Sequence, residues 1–224
     1  MRNSAAARCV LAAAVVCAAG AARAAGGHFA VDDASILEPG QWEQETWYSR
    51  ASGGANQAHA GLNFRVGPVE LDGALEHSRS SGDPSTTAWN LEVKWAHPLS
   101  EHVGVGLDVQ PVGLARPVSQ YTVTRFYGIV SWQAHDTLLL NLNAGHDWVH
   151  GGSDLPRGGF SAEWTPVKVL TLIAERYLDT GTHFVRAGAR WSPTPRWTWD
   201  FSRAQRLSGP ALSTWTIGLD YHSP

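Results

Sequence analysis

The stretch HFVRAGARW, residues 183–191, carries the pattern that decides the fold. Small or apolar side chains occupy every second position from Val185 to Trp191, and two arginines, Arg186 and Arg190, stand between them. Successive side chains of a β-strand point to opposite faces, so such a strand has one apolar and one charged face. This pattern is typical of a membrane β-barrel, in which lipid covers one face and a polar interior the other.

The same alternation recurs along the chain. Further runs of roughly ten residues with a period of two lie at 58–66, 69–76, 87–95, 103–110, 138–145 and 214–221. Less regular segments of the same series lie at 42–50, 121–133, 158–164, 169–177 and 196–203. The sequence therefore predicts an all-β fold: a transmembrane antiparallel up-and-down β-barrel of about 12 strands.

The connections are expected to alternate in length. Short turns are predicted at 66–68, 97–100, 134–136, 165–167 and 192–195, a connection of moderate length at 178–182, and longer loops at 51–56, 78–85, 111–120, 150–155 and 205–210. Four of the five short turns contain proline, which pre-sets a turn and has no place inside a ladder of strands. Outer-membrane barrels have short periplasmic turns, so both ends of the barrel domain are expected on the periplasmic side.

Tryptophan is unusually frequent, with eleven residues that all follow residue 40. Its ring prefers the boundary between apolar and wet surroundings, as at a membrane interface. An aromatic girdle in contact with outer-membrane lipid is predicted from Trp89, Trp95, Trp191, Trp197 and Trp215. A soluble β-sandwich is the alternative, since its strands also alternate, but it does not require tryptophan at the edges of its apolar faces.

Residues 1–24 have the order of a secretory signal peptide, with a basic start, an apolar core over 10–19 and a small-residue cleavage site near Ala24. The mature chain is predicted to begin directly after this site. Residues 25–40 are then a periplasmic N-terminal segment, and residues 41–224 are the barrel. These features predict the outer membrane of a Gram-negative bacterium as the location.

Charge and cysteine content exclude some functions. The 17 basic and 20 acidic residues of the chain become 14 and 20 without the leader, a net charge near −6 that argues against a nucleic-acid partner. Both cysteines, Cys9 and Cys17, lie in the leader, so the mature chain has no thiol for a disulfide or a metal. No cofactor is expected. The barrel-assembly machinery is an expected partner, reading Tyr221 as the terminal aromatic residue.

Charged residues at alternating positions predict the interior. An acidic wall is predicted from Glu70, Asp72, Glu76, Glu92 and Asp108, and a basic wall from Arg125, Arg157, Arg186 and Arg190. On the lipid face a midplane arginine would cost about 2–4 kcal/mol, so these side chains are expected inside. They would either set a field across a narrow aqueous passage or form a salt-bridge ladder that fills the lumen.

Two groups of histidines raise the question of a catalytic or a metal site. His77 is followed by serines, as in a lipid hydrolase, but no third group is in place to orient the histidine. The chain is therefore predicted not to be an enzyme, and no catalytic residue is assigned. His146 and His150 fall on one side of a strand but about two pleats apart, too far for one ion. No metal site is expected.

The stretch FAVDDASILEPGQWEQE, residues 29–45, resembles the N-terminal signature of an outer-membrane barrel family labelled as phenol-degradation meta-pathway-type transporters. Members of that family begin with an acidic element such as TDDA, then a turn of the form LExGxxE, and then the first strand. Here VDDA at 31–34 and LEPGQWE at 37–43 follow the same order. The resemblance implies an outer-membrane location and a transport role.

The paired carboxylates Asp32 and Asp33 allow two interpretations. They are plug candidates if they pair with an inward arginine and hold the segment inside the barrel. Otherwise the segment is a solvated tether in which Asp33 starts a short helical turn. The function predicted from the sequence is a narrow channel or facilitator for small solutes with oppositely charged lumen walls. The alternative is a structural or interaction barrel with a packed, non-conducting lumen.

Overall fold

Twelve antiparallel strands form a closed barrel in the computed structural model, which describes residues 28–224. Each strand pairs with its neighbours in sequence, and β1 pairs with β12 to close the sheet. The predicted fold class is confirmed. The predicted signal peptide and its cleavage site lie outside the described residues.

The strands cover most of the chain. They are β1 (Trp42–Ala51), β2 (Asn56–Val66), β3 (Val69–Arg79), β4 (Thr86–Pro98), β5 (Val103–Arg116), β6 (Gln120–His135), β7 (Leu138–Val149), β8 (Leu155–Val167), β9 (Leu170–Asp179), β10 (Thr182–Trp191), β11 (Trp197–Ser208) and β12 (Thr214–His222). Within residues 28–224, no helix is long and apolar enough to cross a membrane.

Burial is inverted relative to a soluble sheet. In β11, Asp200 is 1% exposed and Ser202 is 1% exposed, whereas the adjacent Phe201 is 53% exposed. A β-sandwich would bury the phenylalanine between its sheets and turn the aspartate to water. The barrel instead turns its apolar side chains outward, as a lipid-facing surface requires, and its polar side chains inward.

The two ends of the barrel are distinguished by their connections. The base is the end at which β1 begins and residues 67–68 and 99–102 turn the chain, and the rim is the opposite end. The predicted girdle residues lie on the outer face in two groups. Trp95, Trp191 and Trp197 are near the base, and Trp89 and Trp215 are nearer the rim. Trp47 was not predicted separately; it lines the interior.

The predicted contrast between long and short connections is weak. The expected loop 111–120 is mostly strand, and only 117–119 link β5 to β6. Pro111 suggested a loop because it lacks a backbone donor. In the barrel, Pro111 pairs with Thr124 of β6, and the ladder between β4 and β5 is interrupted opposite the proline. The interruption accommodates the missing N–H group.

The connection predicted at 178–182 is also shorter than expected. Thr180 and Gly181 alone join β9 to β10, with φ angles of 48° and 71°. Two consecutive residues with positive φ match the twist of a tight hairpin, which glycine adopts without strain. Strand pairing therefore extends almost to the rim.

Candidate functional site

Residues 28–41, here called the N-terminal segment, run across the interior of the barrel. Near the base, the Leu37 amide donates to Glu70 Oε2 on β3 at 2.6 Å. At the other end of the segment, His28 Nε2 lies 2.7 Å from Ser202 Oγ on β11. These contacts tie the two ends of the segment to parts of the wall that are four strands apart.

The middle of the segment is held by side chains that receive its backbone groups. The amides of Ala30 and Val31 donate to Glu175 Oε1 at 3.1 and 2.8 Å. Asn143 accepts from the Asp32 amide at 2.6 Å and donates to the Asp32 carbonyl at 2.8 Å. Backbone groups inside a barrel need such partners because an unpaired buried amide or carbonyl is costly.

Two wall glycines make room for the segment. A Cβ atom on Gly159 would lie 2.8 Å from Val31 Cγ2, and one on Gly188 would lie 3.0 Å from Phe29 Cε1. Both positions face inward on strands whose alternate residues face lipid. The wall therefore lacks side chains where the segment packs against it.

The two aspartates contact a lysine and not the inward arginine that the plug interpretation named. Lys94 Nζ lies 2.8 Å from Asp32 Oδ2 and 3.8 Å from Asp33 Oδ1, and the Lys94 side chain is 2% exposed. Asp33 also accepts hydrogen bonds from the Ser35 amide and hydroxyl. Burial raises the pKa of Asp32 above its ordinary value, and the Lys94 ammonium opposes this shift. The charge of Asp32 thus depends on Lys94.

The beginning of the segment lies against two arginines. Arg186 donates to the His28 carbonyl oxygen, and the guanidinium carbons of Arg186 and Arg190 lie 5.9 and 5.5 Å from the centre of the Phe29 ring. Burial, followed by the charges of Arg186 and Arg190, lowers the pKa of His28 well below its ordinary value of 6.5. His28 is therefore neutral in this position at pH 7.

The segment separates two cavities. A cavity of about 570 Å³ opens toward the rim, and one of about 460 Å³ lies toward the base. Asp32 lines the rim-side cavity and its neighbour Asp33 lines the base-side cavity. The segment is thus the partition between the two halves of the lumen.

The nine charged residues predicted for the two walls lie in the interior. The rim-side cavity is lined by Glu70, Asp72, Glu76, Glu92, Arg125, Arg157 and Arg186. Asp108 is fully buried on β5, and Arg190 is buried on β10. Lys94 was not among the predicted residues, although it follows Glu92 at the same alternation. Glu43 and Glu45 were not predicted either, because β1 alternates poorly.

Three of the predicted arginines form ion pairs with neighbouring acids. Arg157 contacts Asp147 and Asp179, one on each adjacent strand. Arg186 lies 3.3 Å from Glu175. Arg190 lies 3.0 Å from Asp200, its direct partner across the strands. The positive charges of the predicted basic wall are therefore largely neutralised by acids on adjacent strands.

The rim-side cavity has more acids than bases. Its lining includes four basic residues, Lys94, Arg125, Arg157 and Arg186. It also includes eight carboxylates, from Asp32, Glu43, Glu45, Glu70, Asp72, Glu76, Glu92 and Asp179. A cleft lined by one excess sign of charge concentrates ions of the other sign.

The contacts of His77 are not those of a hydrolase, and those of His146 and His150 are not those of a metal site. His77 Nδ1 lies 3.0 Å from Thr87 Oγ1, and Arg79 donates to His77 Nε2 at 3.1 Å. His146 lies 3.9 Å from Asp154, whereas the His150 ring packs edge-on against Tyr121.

Comparison with known families gives one match. A family model covers residues 13–221 of the chain. The chain belongs to the family described as uncharacterised conserved protein UCP029691. No curated protein matches it in sequence. The phenol-degradation label is not confirmed by this family and stays a prediction.

Solved structures with a similar fold are outer-membrane barrels. The KdgM porin has a TM-score of 0.67 and 9% identity over 80% of this chain and 98% of its own. The NanC porin has a TM-score of 0.56 and 13% identity over 81% and 98%. The outer membrane phospholipase of Salmonella typhi has a TM-score of 0.54 and 11% identity over 84% and 92%. At these identities the likeness establishes a shared porin-like barrel fold.

Proposed function

We propose that the protein is an outer-membrane channel for small solutes and that its own N-terminal segment constricts the passage. The apolar outer face, the charged interior and the porin-like fold support this proposal. In this arrangement the base faces the periplasm, signal cleavage occurs near Ala24, and the assembly machinery reads Tyr221. Tyr221 packs against Trp197 and Trp42 near the base.

The observation that carries the proposal is the partition between the two cavities. Without residues 28–37, the rim-side and base-side cavities would face each other across the centre of the barrel. Hydrogen bonds and ion pairs hold the segment, and each contributes only about 0.5–3 kcal/mol net. A segment held in this way is able to leave its site while the barrel stays closed.

The excess of carboxylates in the rim-side cavity indicates cationic or neutral polar solutes. One solved structure of the KdgM porin contains oligogalacturonate, a polyanion. The lumen described above favours the opposite charge. Its polar lining also gives no support to an apolar aromatic solute of the kind that the phenol-degradation label suggests.

A structural barrel with a packed lumen is the second candidate. The buried ion pairs of Arg157, Arg186 and Arg190 favour it, because they fill one side of the interior together with the segment. The two candidates differ in one measurable property, which is whether ions pass when the segment is free to move.

An engineered disulfide tests this difference. A Cβ atom on Gly104 would lie 3.2 Å from Ala34 Cβ, close to the 3.5–4.5 Å that a disulfide requires. The double variant Ala34→Cys/Gly104→Cys would therefore lock the segment to β5 after a small adjustment. Because both native cysteines lie in the leader, the refolded mature chain would contain only the engineered pair.

Conductance of the locked barrel is measured in planar bilayers, before and after reduction, with Gly104→Cys alone as the control. Discrete current steps that appear only on reduction are expected. Equal currents in both states would show that the segment does not gate the passage. Silence in both states, with a folded heat-modifiable barrel, would favour the structural candidate.

Ion selectivity tests the solute class separately. In a salt gradient, the reduced double variant is expected to prefer cations, since carboxylates exceed bases in the rim-side cavity. Glu45→Gln combined with Glu76→Gln should lower this preference. A reversal potential that indicates anion preference would contradict the assignment of cationic solutes but not the channel itself.

A further inference from the structure

Three carboxylates join the N-terminal segment to the wall. Asp32 belongs to the segment, Glu92 to β4 and Asp108 to β5, and one oxygen from each lies within 4.8 Å of the others. Oxygen ligands of Ca²⁺ lie 2.3–2.6 Å from the ion, so two of them are at most about 5 Å apart. For Mg²⁺ the corresponding limit is about 4.2 Å. A separation of at most 4.8 Å admits either ion, and Ca²⁺ is the better candidate because it accepts irregular coordination, whereas Mg²⁺ requires near-ideal octahedral geometry.

Asp108 lacks the hydrogen bonds that a buried carboxylate ordinarily has. It is 0% exposed, and within residues 28–224 neither of its side-chain oxygens has a partner that meets hydrogen-bond geometry, although the Glu92 carboxyl and the Gln110 amide lie beside it. Buried charged groups are nearly always paired or bound to a metal, because an unpaired one is costly. Both oxygens of Asp108 thus remain available to a cation.

The local charge also favours a further cation. Lys94 is the ammonium that contacts Asp32 and Asp33, and it leaves Glu92 and Asp108 without a basic partner among their described ion pairs. Glu92 accepts a hydrogen bond from Gln110 Nε2 at 2.7 Å, but an amide carries no charge. Removing two further carboxylates from water without a counter-charge is strongly unfavourable.

We propose that Asp32, Glu92 and Asp108 bind one divalent cation, Ca²⁺, inside the lumen. Carboxylates are the ligands that this ion prefers, and water completes its six to eight positions. Asp32 and Glu92 line the rim-side cavity, which supplies that water. The ion links the segment to two wall strands and compensates charge that Lys94 does not reach.

The site was not predicted because its ligands come from positions 32, 92 and 108 and follow no spacing rule. A strand places only alternate residues on one face, so a site between two strands and a separate segment has no local signature. The cation site does not depend on conduction, and a barrel that passes no ions would contain it as well.

Calorimetry on the refolded mature full-length chain tests the site. The protein is stripped with EDTA, dialysed in detergent and titrated with CaCl₂ and, separately, with MgCl₂. One calcium ion per barrel is expected, bound at least tenfold more tightly than magnesium. Asp108→Asn, which keeps the shape and removes the charge, should weaken calcium binding at least tenfold.

Three further variants complete the test. Asp32→Asn should also weaken binding, because the segment supplies one ligand. Glu92→Gln provides a second wall variant if Asp108→Asn lacks the heat-modifiable mobility of a folded barrel. Asp220→Asn is the matched control, since Asp220 is likewise a buried carboxylate with an unpartnered oxygen, on β12, and its loss should leave calcium affinity unchanged.

Two outcomes overturn the proposal. One is the absence of binding to the wild-type barrel at millimolar free calcium. The other is an affinity that survives Asp32→Asn, Glu92→Gln and Asp108→Asn alike. Neither outcome bears on the channel, because calorimetry does not depend on conduction, and a barrel that is silent in bilayers would still bind calcium.

Discussion

The two sides of the lumen use charge in different ways. On the side formed by β8 to β11, Arg186 and Glu175 are direct partners across neighbouring strands, and so are Arg190 and Asp200. On the side formed by β3 to β5, Asp72 stands directly opposite Glu92. Opposite charges in such pairs are stabilising and like charges are destabilising. One wall is internally neutralised, whereas the other holds an excess of negative charge.

This difference shows that the charge of single side chains does not give the net charge of a wall. Arg186 and Arg190 lie in the interior, as the alternation predicted, yet their fields are largely cancelled by acids on the adjacent strands. The excess that a solute would meet comes from the acidic wall. Lys94 neutralises part of this negative charge beside the segment, where it pairs with Asp32.

The largest expected effect is on the stability of the barrel. The same type of substitution, Asp to Asn, should have opposite effects in the two walls. Asp200→Asn removes a buried carboxylate that pairs with Arg190 and should destabilise the barrel by about 3–5 kcal/mol. Asp72→Asn removes a like-charge pair with Glu92 and should stabilise it by up to about 1 kcal/mol. Both changes are measured by unfolding the barrel in urea and using its heat-modifiable electrophoretic mobility to quantify the folded fraction. If both variants change the free energy of unfolding in the same direction, the two walls do not differ in the way described.

The next effect concerns the one cation of the acidic wall that contacts the segment. Lys94→Met leaves Asp32 and Asp33 without their ammonium and should weaken docking of the segment by about 3 kcal/mol. In EDTA, cleavage by proteinase K within residues 28–37 should then be about a hundredfold faster. Lys168→Met is the control, because Lys168 lies in the exposed turn between β8 and β9. Unchanged cleavage in Lys94→Met would show that the ion pair does not hold the segment.

The smallest effect is a pH dependence at the arginine-rich end of the segment. The docked His28 has a pKa well below 6.5, and release restores the ordinary value. The released state therefore binds a proton that the docked state does not, so docking weakens as pH falls below 6.5. From pH 7.5 to 5.5 the loss should be about 1.4 kcal/mol.

Proteinase K cleavage at the two pH values measures this effect, with His28→Gln as the reference. The lumen carboxylates titrate in both proteins, so the wild-type chain should show the larger increase in cleavage at low pH. If the two proteins respond equally, His28 makes no contribution to the pH dependence of docking.

Much of the barrel follows from local pattern alone. A period of two tells which residues of a strand share a face, and this was enough to place residues such as Glu76 and Arg157 in the lumen. The pattern gave a wrong strand boundary where a proline suggested that the strand ends. Pro111 was expected in a loop, but pairing with β6 on one side keeps it in the strand.

The placement of the N-terminal segment could not be obtained in the same way. Its backbone amides meet Glu175 and Ser131, whose positions in sequence are 145 and 97 residues away. Backbone donors are the same in every sequence, so they leave no signal in the residue types. The paired aspartates indicated that a basic partner was needed, and only the folded barrel shows that Lys94 is that partner.

The contacts of the segment also have a consequence for the order of assembly. Its partners lie on β3, β6, β7, β9 and β11, so the docking site does not exist until strands from most of the chain have come together. Contacts between distant positions form late, because the entropy of closing long loops must be met first. Residues 28–37 are synthesised before any strand and reach their place only after β11 has joined the sheet, so their protection from protease reports that most of the wall is assembled.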